Sequence, residues 1–147
     1  MNNLKMFCIT LEPNHYDFIK ELGYEPVGLG VNKFGKEWLS DRSNTNISKK
    51  NKYYGEYTFH YWLWKNYLNE IKSNWIGFCQ YRKFWTLENP SNKSIKLDSL
   101  KKIVLNEIPK EYNRYDTILG EPIYINQMKP MKFLKKGLKL IAKNPLL

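Results

Sequence analysis

Residues 53–85 constrain the fold of this chain more than any other segment, because they join an aromatic-rich helical pattern to a short apolar strand pattern. Aromatic residues recur at helical spacing over 53–71, and a polar turn separates them from a predicted buried strand at 75–81. This strand ends in polar and cationic side chains, namely Gln80, Tyr81, Arg82 and Lys83. Open α/β sheets bind ligands at the carboxyl ends of their strands. The segment therefore predicts a ligand site at the end of this strand.

Size and composition indicate one globular domain over residues 1–147. The 42% of hydrophobic and 16% of aromatic residues are enough for a core. A formal net charge of +10 favours an anionic partner, whether nucleic acid, anionic lipid or a phosphate-bearing ligand. Residues 1–5 lack the pattern of a signal peptide, and no run reaches the about 18 apolar residues of a membrane span. Secretion is not indicated.

Strand and helix patterns alternate along the chain. The predicted strands are 4–10, 26–30, 75–81 and 115–120, with a further extended segment at 123–125. The predicted helices are 16–22, 53–71 and 100–108, with one or two helical turns at 34–39 and a polar loop at 41–52. Gly23 is expected to end the first of these helices, and Asp98 or Ser99 to cap the third. This alternation predicts an α/β fold with a mostly parallel sheet flanked by helices.

The predicted helix at 53–71 is apolar around most of its circumference. One stripe follows the i, i+4, i+7, i+11 rule and consists of Tyr57, Tyr61, Trp64 and Leu68. Because the helix and the next strand adjoin in sequence, we expect this stripe to be buried against Ile76 and Phe78.

Several standard site motifs are missing from the sequence. It contains neither a phosphate-binding P-loop nor a dinucleotide-binding glycine fingerprint, and no Asp-x-Asp or Glu-x-Asp pair. A carboxylate metal site would have to draw on the isolated acids Asp41, Glu56 and Glu121. Cys8 and Cys79 lie in apolar runs, and the two histidines, His15 and His60, lack metal-ligand spacing. We expect these four residues to be structural.

Two charged residues have both a functional and a structural interpretation. Glu56 lies at the start of the aromatic helix, where its carboxylate either holds a ligand hydroxyl or stabilises the helix dipole. Arg82 has a planar fork that suits a diphosphate, and it could equally form a salt bridge with a neighbouring acid.

The segment 128–143 carries six lysines and no acid, interleaved with apolar residues. As a helix, it would place Phe133, Leu134, Leu138 and Ile141 on one face. Such a basic amphipathic helix would either contact an anionic membrane or pack on the surface of the protein with its lysines in water. The chain stops soon after it, and we expect the sequence to be the amino-terminal portion of a longer domain.

Blocks 46–66, 75–84 and 115–120 resemble a bacterial family known as the DUF4422 domain. The family's members are often labelled capsular or exopolysaccharide biosynthesis proteins, and it is similar to the GT-A class of nucleotide-sugar glycosyltransferases. The resemblance covers residues 4–140 and implies a GT-A-like fold. It also implies a cytoplasmic enzyme that transfers sugar from a nucleotide-sugar donor to a glycan or lipid-linked acceptor. The Lys-rich helix would then contact the inner face of the membrane.

The resemblance also implies roles for individual residues. It implies that Thr10 and Glu56 contact the nucleotide. Gln80 and Tyr81 would contact the sugar or the diphosphate. Arg82 would neutralise the departing diphosphate, in a position where related enzymes use a metal held by an acidic pair. The catalytic candidates are therefore Arg82 and Gln80, and the donor-binding candidates are Thr10, Glu56 and Tyr81. The family more often has His at the position of Gln80, whose amide cannot act as a base.

Two other function classes compete with the enzyme. The net charge of +10 and the many aromatic residues would suit a non-catalytic module that binds nucleic acid or another polyanion. The aromatic residues concentrate on one apolar helix rather than alternating with basic residues on a sheet face, which argues against nucleic acid. The third class is a membrane-surface scaffold that uses the Lys-rich helix.

Overall fold

The computed structural model of the protein describes residues 3–88, 95–120 and 130–143. The chain divides into two compact units, Met1–Asp116 and Thr117–Leu147. The strands of the first unit are β1 (Leu4–Thr10), β2 (Glu25–Gly28), β3 (Leu39–Ser40) and β4 (Trp75–Gln80). Its helices are α1 (Tyr16–Glu21), α2 (Asn51–Tyr54), α3 (Tyr57–Asn66) and α4 (Leu97–Ile103). The second unit contains the helix α5 (Pro130–Lys143).

The four strands form one parallel sheet in the order β3-β2-β1-β4. Register pairs Phe7 of β1 with Phe78 of β4, and Thr10 at the end of β1 with Gly28 at the end of β2. Parallel strands need crossover connections, which contain α1 between β1 and β2, and α2 and α3 between β3 and β4, whereas residues 29–38 join β2 to β3 without a helix. The prediction of an α/β fold with a parallel sheet flanked by helices is confirmed.

One hydrophobic cluster of the core lies between α3 and one face of the sheet. Its buried members are Phe7, Ile9, Val27, Leu29, Phe59, Trp62 and Leu63, against which Ile76 and Phe78 pack. The predicted buried face of α3 is wrong, because Tyr57, Trp64 and Leu68 are exposed and Tyr61 is only half-buried. The helix carries two apolar stripes, and the one containing Phe59 and Trp62 faces the sheet.

The predicted helix at 53–71 is interrupted at Gly55. This glycine has a φ of 56°, in the region that favours glycine, and separates α2 from α3. The helical pattern then finishes in a short 3-10 turn, Leu68–Glu70. The break matters for the site, because it places Glu56 at the amino-terminal end of a new helix rather than inside a continuous one.

Three other predicted elements differ from the structure. The helical turns predicted at 34–39 are absent, and Leu39 instead pairs with Val27 in the sheet. The α4 helix starts before Asp98 and Ser99, which therefore do not cap it, and it ends early because Val104 forms a bridge with Thr86. No strand forms over 115–120, where the described residues have no ladder partner. The segment predicted at 123–125 lies outside the described residues.

In the second unit, the helix that the structure describes is α5. Met131, Leu134 and Leu138 are exposed and spaced at i, i+3 and i+7, so they share one face. Lys135 and Lys139 are also exposed. No helix within the described ranges has the length and apolar character needed to cross a membrane.

Candidate functional site

The carboxyl ends of all four strands lie on one edge of the sheet, because every neighbouring pair is parallel. The strands end there at Ser40, Gly28, Thr10 and Gln80. Thr10 and Gln80 belong to the neighbouring strands β1 and β4, and the backbone N–H of Tyr81 donates to the carbonyl of Ile9 at 3.3 Å. The sheet therefore brings the end of β1 beside the residues that follow β4.

One group of contacts at this edge centres on His15, in the 3-10 turn Pro13–His15 that follows β1. Its Nδ1 lies 2.8 Å from the hydroxyl oxygen of Thr10, which also accepts the backbone N–H of Glu12 at 3.0 Å. The imidazole stacks on Tyr81 with 4.2 Å between ring centroids. The guanidinium carbon of Arg82 lies 5.0 Å from the centroid of the same Tyr81 ring. His15 thus links Thr10 to Tyr81 and Arg82.

The second group joins α3 to β4. Gln80 donates from Nε2 to Oε2 of Glu56 at 2.6 Å. Glu56 reaches Gln80 because the break at Gly55 starts α3 beside the carboxyl end of β4. With its Nε2 held in this way, Gln80 keeps its carbonyl oxygen as an acceptor for a ligand hydroxyl.

His60 lies in α3, one helical turn after Glu56. Its ring makes an edge contact with Phe78, with 4.4 Å between centroids. Burial lowers the pKa of His60 below its ordinary value, and the nearby carboxylate of Glu56 only partly opposes this shift. The imidazole is therefore neutral at neutral pH. Its Nε2 is buried and has no hydrogen-bond partner among the described residues.

Asp41 follows β3 at the same edge of the sheet, and it is 1% exposed. Its Oδ2 is buried and finds no hydrogen-bond partner within the described part of the chain. In residues 3–88, 95–120 and 130–143, no group of three or more His, Cys, Asp or Glu side chains is arranged to hold a metal ion. Glu121 lies outside those ranges.

The predicted site residues thus fall into two contact groups at one edge of the sheet. Thr10, Tyr81 and Arg82 meet through His15, whereas Glu56 meets Gln80. The groups are joined in sequence at Gln80–Tyr81. His15 was expected to be structural, and only the contacts across the sheet edge show its position between Thr10 and Tyr81. The signal available in the sequence was its closeness to the end of β1.

The expected structural role of the cysteines agrees with their surroundings. Cys8 and Cys79 are buried and are register partners on the neighbouring strands β1 and β4. The hydrogen bond with Cys8 and, after it, burial raise the pKa of Cys79 well above its ordinary range, so its thiol stays protonated. Neither side chain is among the contacts that build the sheet-edge groups.

Comparisons with known proteins identify the family of the chain and one partly similar structure. No curated protein matches the chain. One solved structure, described as the apo structure of the bifunctional glycosyltransferase WbbM, matches 55% of the chain at 30% identity with a TM-score of 0.40. The chain covers 14% of that protein's length. The family described as a domain of unknown function, DUF4422, matches residues 8–136. The chain is therefore a member of the DUF4422 family.

Proposed function

We propose that the protein is a glycosyltransferase domain of the GT-A type that uses a nucleotide-sugar donor in the assembly of bacterial surface polysaccharide. The observation that carries the proposal is the group of polar and cationic residues at the carboxyl edge of a parallel sheet, where α/β folds bind nucleotides. Thr10, Tyr81 and Arg82 contact one another there through His15. Glu56 and Gln80 add a carboxylate and an amide at the same edge. The net charge of +10 favours the anionic donor.

Each residue has a chemical role in this proposal. The acceptor hydroxyl attacks the anomeric carbon of the donor sugar, the bond from that carbon to the diphosphate oxygen breaks, and the hydroxyl proton passes to water. Negative charge then develops on the leaving diphosphate, and the planar guanidinium of Arg82 stabilises it. Gln80 accepts from a sugar hydroxyl, while Glu56 holds the amide and accepts from a ribose hydroxyl. Tyr81 contacts the nucleotide, and Thr10, which is 2% exposed, takes part through its contact with His15.

The test is binding of nucleotide sugars and of UDP, GDP, ADP and TDP, measured by thermal stabilisation. Arg82→Ala should abolish binding of the nucleotide that stabilises the wild type best, and Arg82→Lys should restore little of it, because lysine lacks the fork. Arg114→Ala is the matched control, since Arg114 is also an exposed arginine on a tyrosine ring, 4.9 Å from the centroid of Tyr115. Equal binding by wild type and Arg82→Ala would contradict the role of Arg82.

The same variants distinguish the enzyme from a polyanion-binding module. Binding of an oligonucleotide to a surface with 24 basic residues should weaken only modestly when one of them is lost. It should also fall steeply with salt, because binding releases counterions from the phosphates. Tight, salt-sensitive oligonucleotide binding without nucleotide binding would favour the polyanion-binding module.

We further propose that the domain works in the cytoplasm and that α5 contacts the inner face of the membrane. The exposed apolar face of Met131, Leu134 and Leu138, with exposed lysines and no acid on the helix, supports this contact. Flotation with phosphatidylcholine vesicles containing phosphatidylglycerol should recover the protein, whereas pure phosphatidylcholine vesicles should not.

A variant pair tests the membrane contact. Leu134→Glu with Leu138→Glu should lose flotation. Val31→Glu should keep it, because Val31 is an apolar residue of the first unit that is 96% exposed. Flotation of the double variant at the wild-type level would rule out the contact through this face.

A further inference from the structure

The hydroxyl of Thr10 determines which nitrogen of His15 carries a hydrogen. Thr10 is 2% exposed, so water does not reach its side chain freely. The hydroxyl oxygen already accepts the backbone N–H of Glu12 at 3.0 Å, and its own hydrogen still needs an acceptor. Among the described residues, the acceptor within bonding distance is Nδ1 of His15, at 2.8 Å. A buried hydroxyl that donates to no group costs free energy, so the Thr10 O–H donates to this nitrogen.

This hydrogen bond defines the tautomer of the imidazole. When Nδ1 of a neutral imidazole accepts a hydrogen bond, Nε2 carries the ring hydrogen. Protonation of the ring would add a hydrogen at Nδ1 and leave Nε2 as a donor. Nε2 of His15 has no hydrogen-bond partner among the described residues. Within the described ranges, His15 therefore holds a donor that no other residue uses.

The surroundings of this donor favour an anionic oxygen as its partner. The His15 ring is stacked on Tyr81, and the Arg82 guanidinium lies over the same tyrosine ring. The Tyr81 ring therefore contacts both an imidazole with an N–H donor and a permanent cation. A diphosphate has several oxygens that accept hydrogen bonds and carry charge, so it can satisfy both groups without a single oxygen reaching both.

We propose that His15 is a ligand-binding residue that donates its Nε2–H to an oxygen of the donor diphosphate, in the tautomer that Thr10 selects. The identity of this oxygen rests on the proposed function, whereas the tautomer does not. The inference adds His15 to the site and gives Thr10 the additional role of orienting that donor.

The first experiment measures the tautomer without any ligand. Long-range proton–nitrogen NMR spectra distinguish the two neutral tautomers, and a chain with two histidines gives two sets of signals. A His60→Asn variant assigns them. His15 should have its hydrogen on Nε2 in the wild type and in Thr10→Ser, which keeps the hydroxyl. Thr10→Val removes the hydroxyl at similar volume and should yield a mixture. An Nδ1–H tautomer in the wild type would overturn the inference.

The second experiment measures the hydrogen bond to the ligand. His15→Phe keeps an aromatic ring on Tyr81 but has no donor, and it should weaken nucleoside diphosphate binding about tenfold to a hundredfold, as expected for a hydrogen bond to a charged group. His15→Gln restores an N–H at similar reach and should recover part of the affinity. His60→Phe is the matched control and should bind like the wild type.

The outcomes separate this inference from the proposed function. If His15→Phe binds UDP, GDP, ADP and TDP as tightly as the wild type while Arg82→Ala does not, the role of His15 is wrong and the nucleotide site stands. If the wild type binds none of these nucleotides, both the nucleotide site and the ligand role of His15 are wrong. In that case the NMR measurement still decides whether Thr10 selects the tautomer.

Discussion

Gln80 donates a hydrogen bond of 2.6 Å to Glu56, and this bond joins the end of β4 to the start of α3. The carboxylate belongs to a half-buried residue and the amide to an exposed one, so both can meet a ligand at the sheet edge. The pair thus combines a structural contact with two groups suited to sugar or ribose hydroxyls.

Removing the Glu56 carboxylate should affect ligand binding more than folding. Glu56→Ala should weaken binding of the best-binding nucleotide sugar about tenfold or more, because a hydrogen bond to a charged group is lost. Its free energy of unfolding should fall by no more than about 1 kcal/mol, since the lost contact is at the surface. Titration calorimetry and urea unfolding measure the two effects. A large loss of stability with unchanged affinity would assign the residue to the fold alone.

The two stripes of α3 should respond differently to truncation. Phe59 is 0% exposed and makes an edge contact with Phe7, with 5.5 Å between ring centroids. Phe59→Ala should therefore cost about 3–5 kcal/mol of stability through the cavity it leaves. Tyr57→Ala, in the same helix, should change stability by no more than about 0.5 kcal/mol, because Tyr57 is exposed. Urea unfolding followed by far-UV circular dichroism compares them, and similar costs would contradict the observed face of α3.

Two glycines should respond to alanine with opposite signs. Gly55 has a φ of 56° and a ψ of −130°, which an alanine adopts only with strain, so Gly55→Ala should cost about 1–3 kcal/mol. Gly137 lies inside α5, where an added methyl group meets nothing within 4 Å. Gly137→Ala should increase the helical ellipticity, since alanine is favoured over glycine by about 1 kcal/mol in a helix interior. A stabilising effect of Gly55→Ala would show that the break between α2 and α3 is not required.

The stability of the protein should contain a contribution from His60 that depends on pH. Burial depresses the pKa of His60 in the folded state below its ordinary value of 6.5, so the unfolded chain takes up the proton first as pH falls. The contribution of neutral His60 to the free energy of unfolding is therefore fully present above about pH 6.5, and it declines as pH decreases toward the folded-state pKa. The urea midpoint at pH 8 and pH 5 should differ less in His60→Gln than in the wild type. An unchanged difference would exclude a contribution from His60.

The sequence by itself determined the elements whose patterns are local. Apolar runs predicted strands at β1 and β4, of which β1 is buried, whereas β4, at the edge of the sheet, is mostly half-buried. Gly23, with a φ of 78°, follows α1 as a residue that ends a helix. The alternation of strands and helices predicted the parallel α/β sheet.

Only the tertiary structure decided between patterns that were locally equivalent. Both stripes of α3 have helical spacing, and packing of Phe59 and Trp62 against the sheet selected one of them. The end of α4 depends on the bridge between Val104 and Thr86, a contact that no local propensity contains. His15 joins the candidate site for the same reason: Thr10 ends β1 and Tyr81 directly follows β4, and only the sheet brings these two strands together. Local spacing specifies an element, whereas its neighbours depend on contacts between residues far apart in sequence.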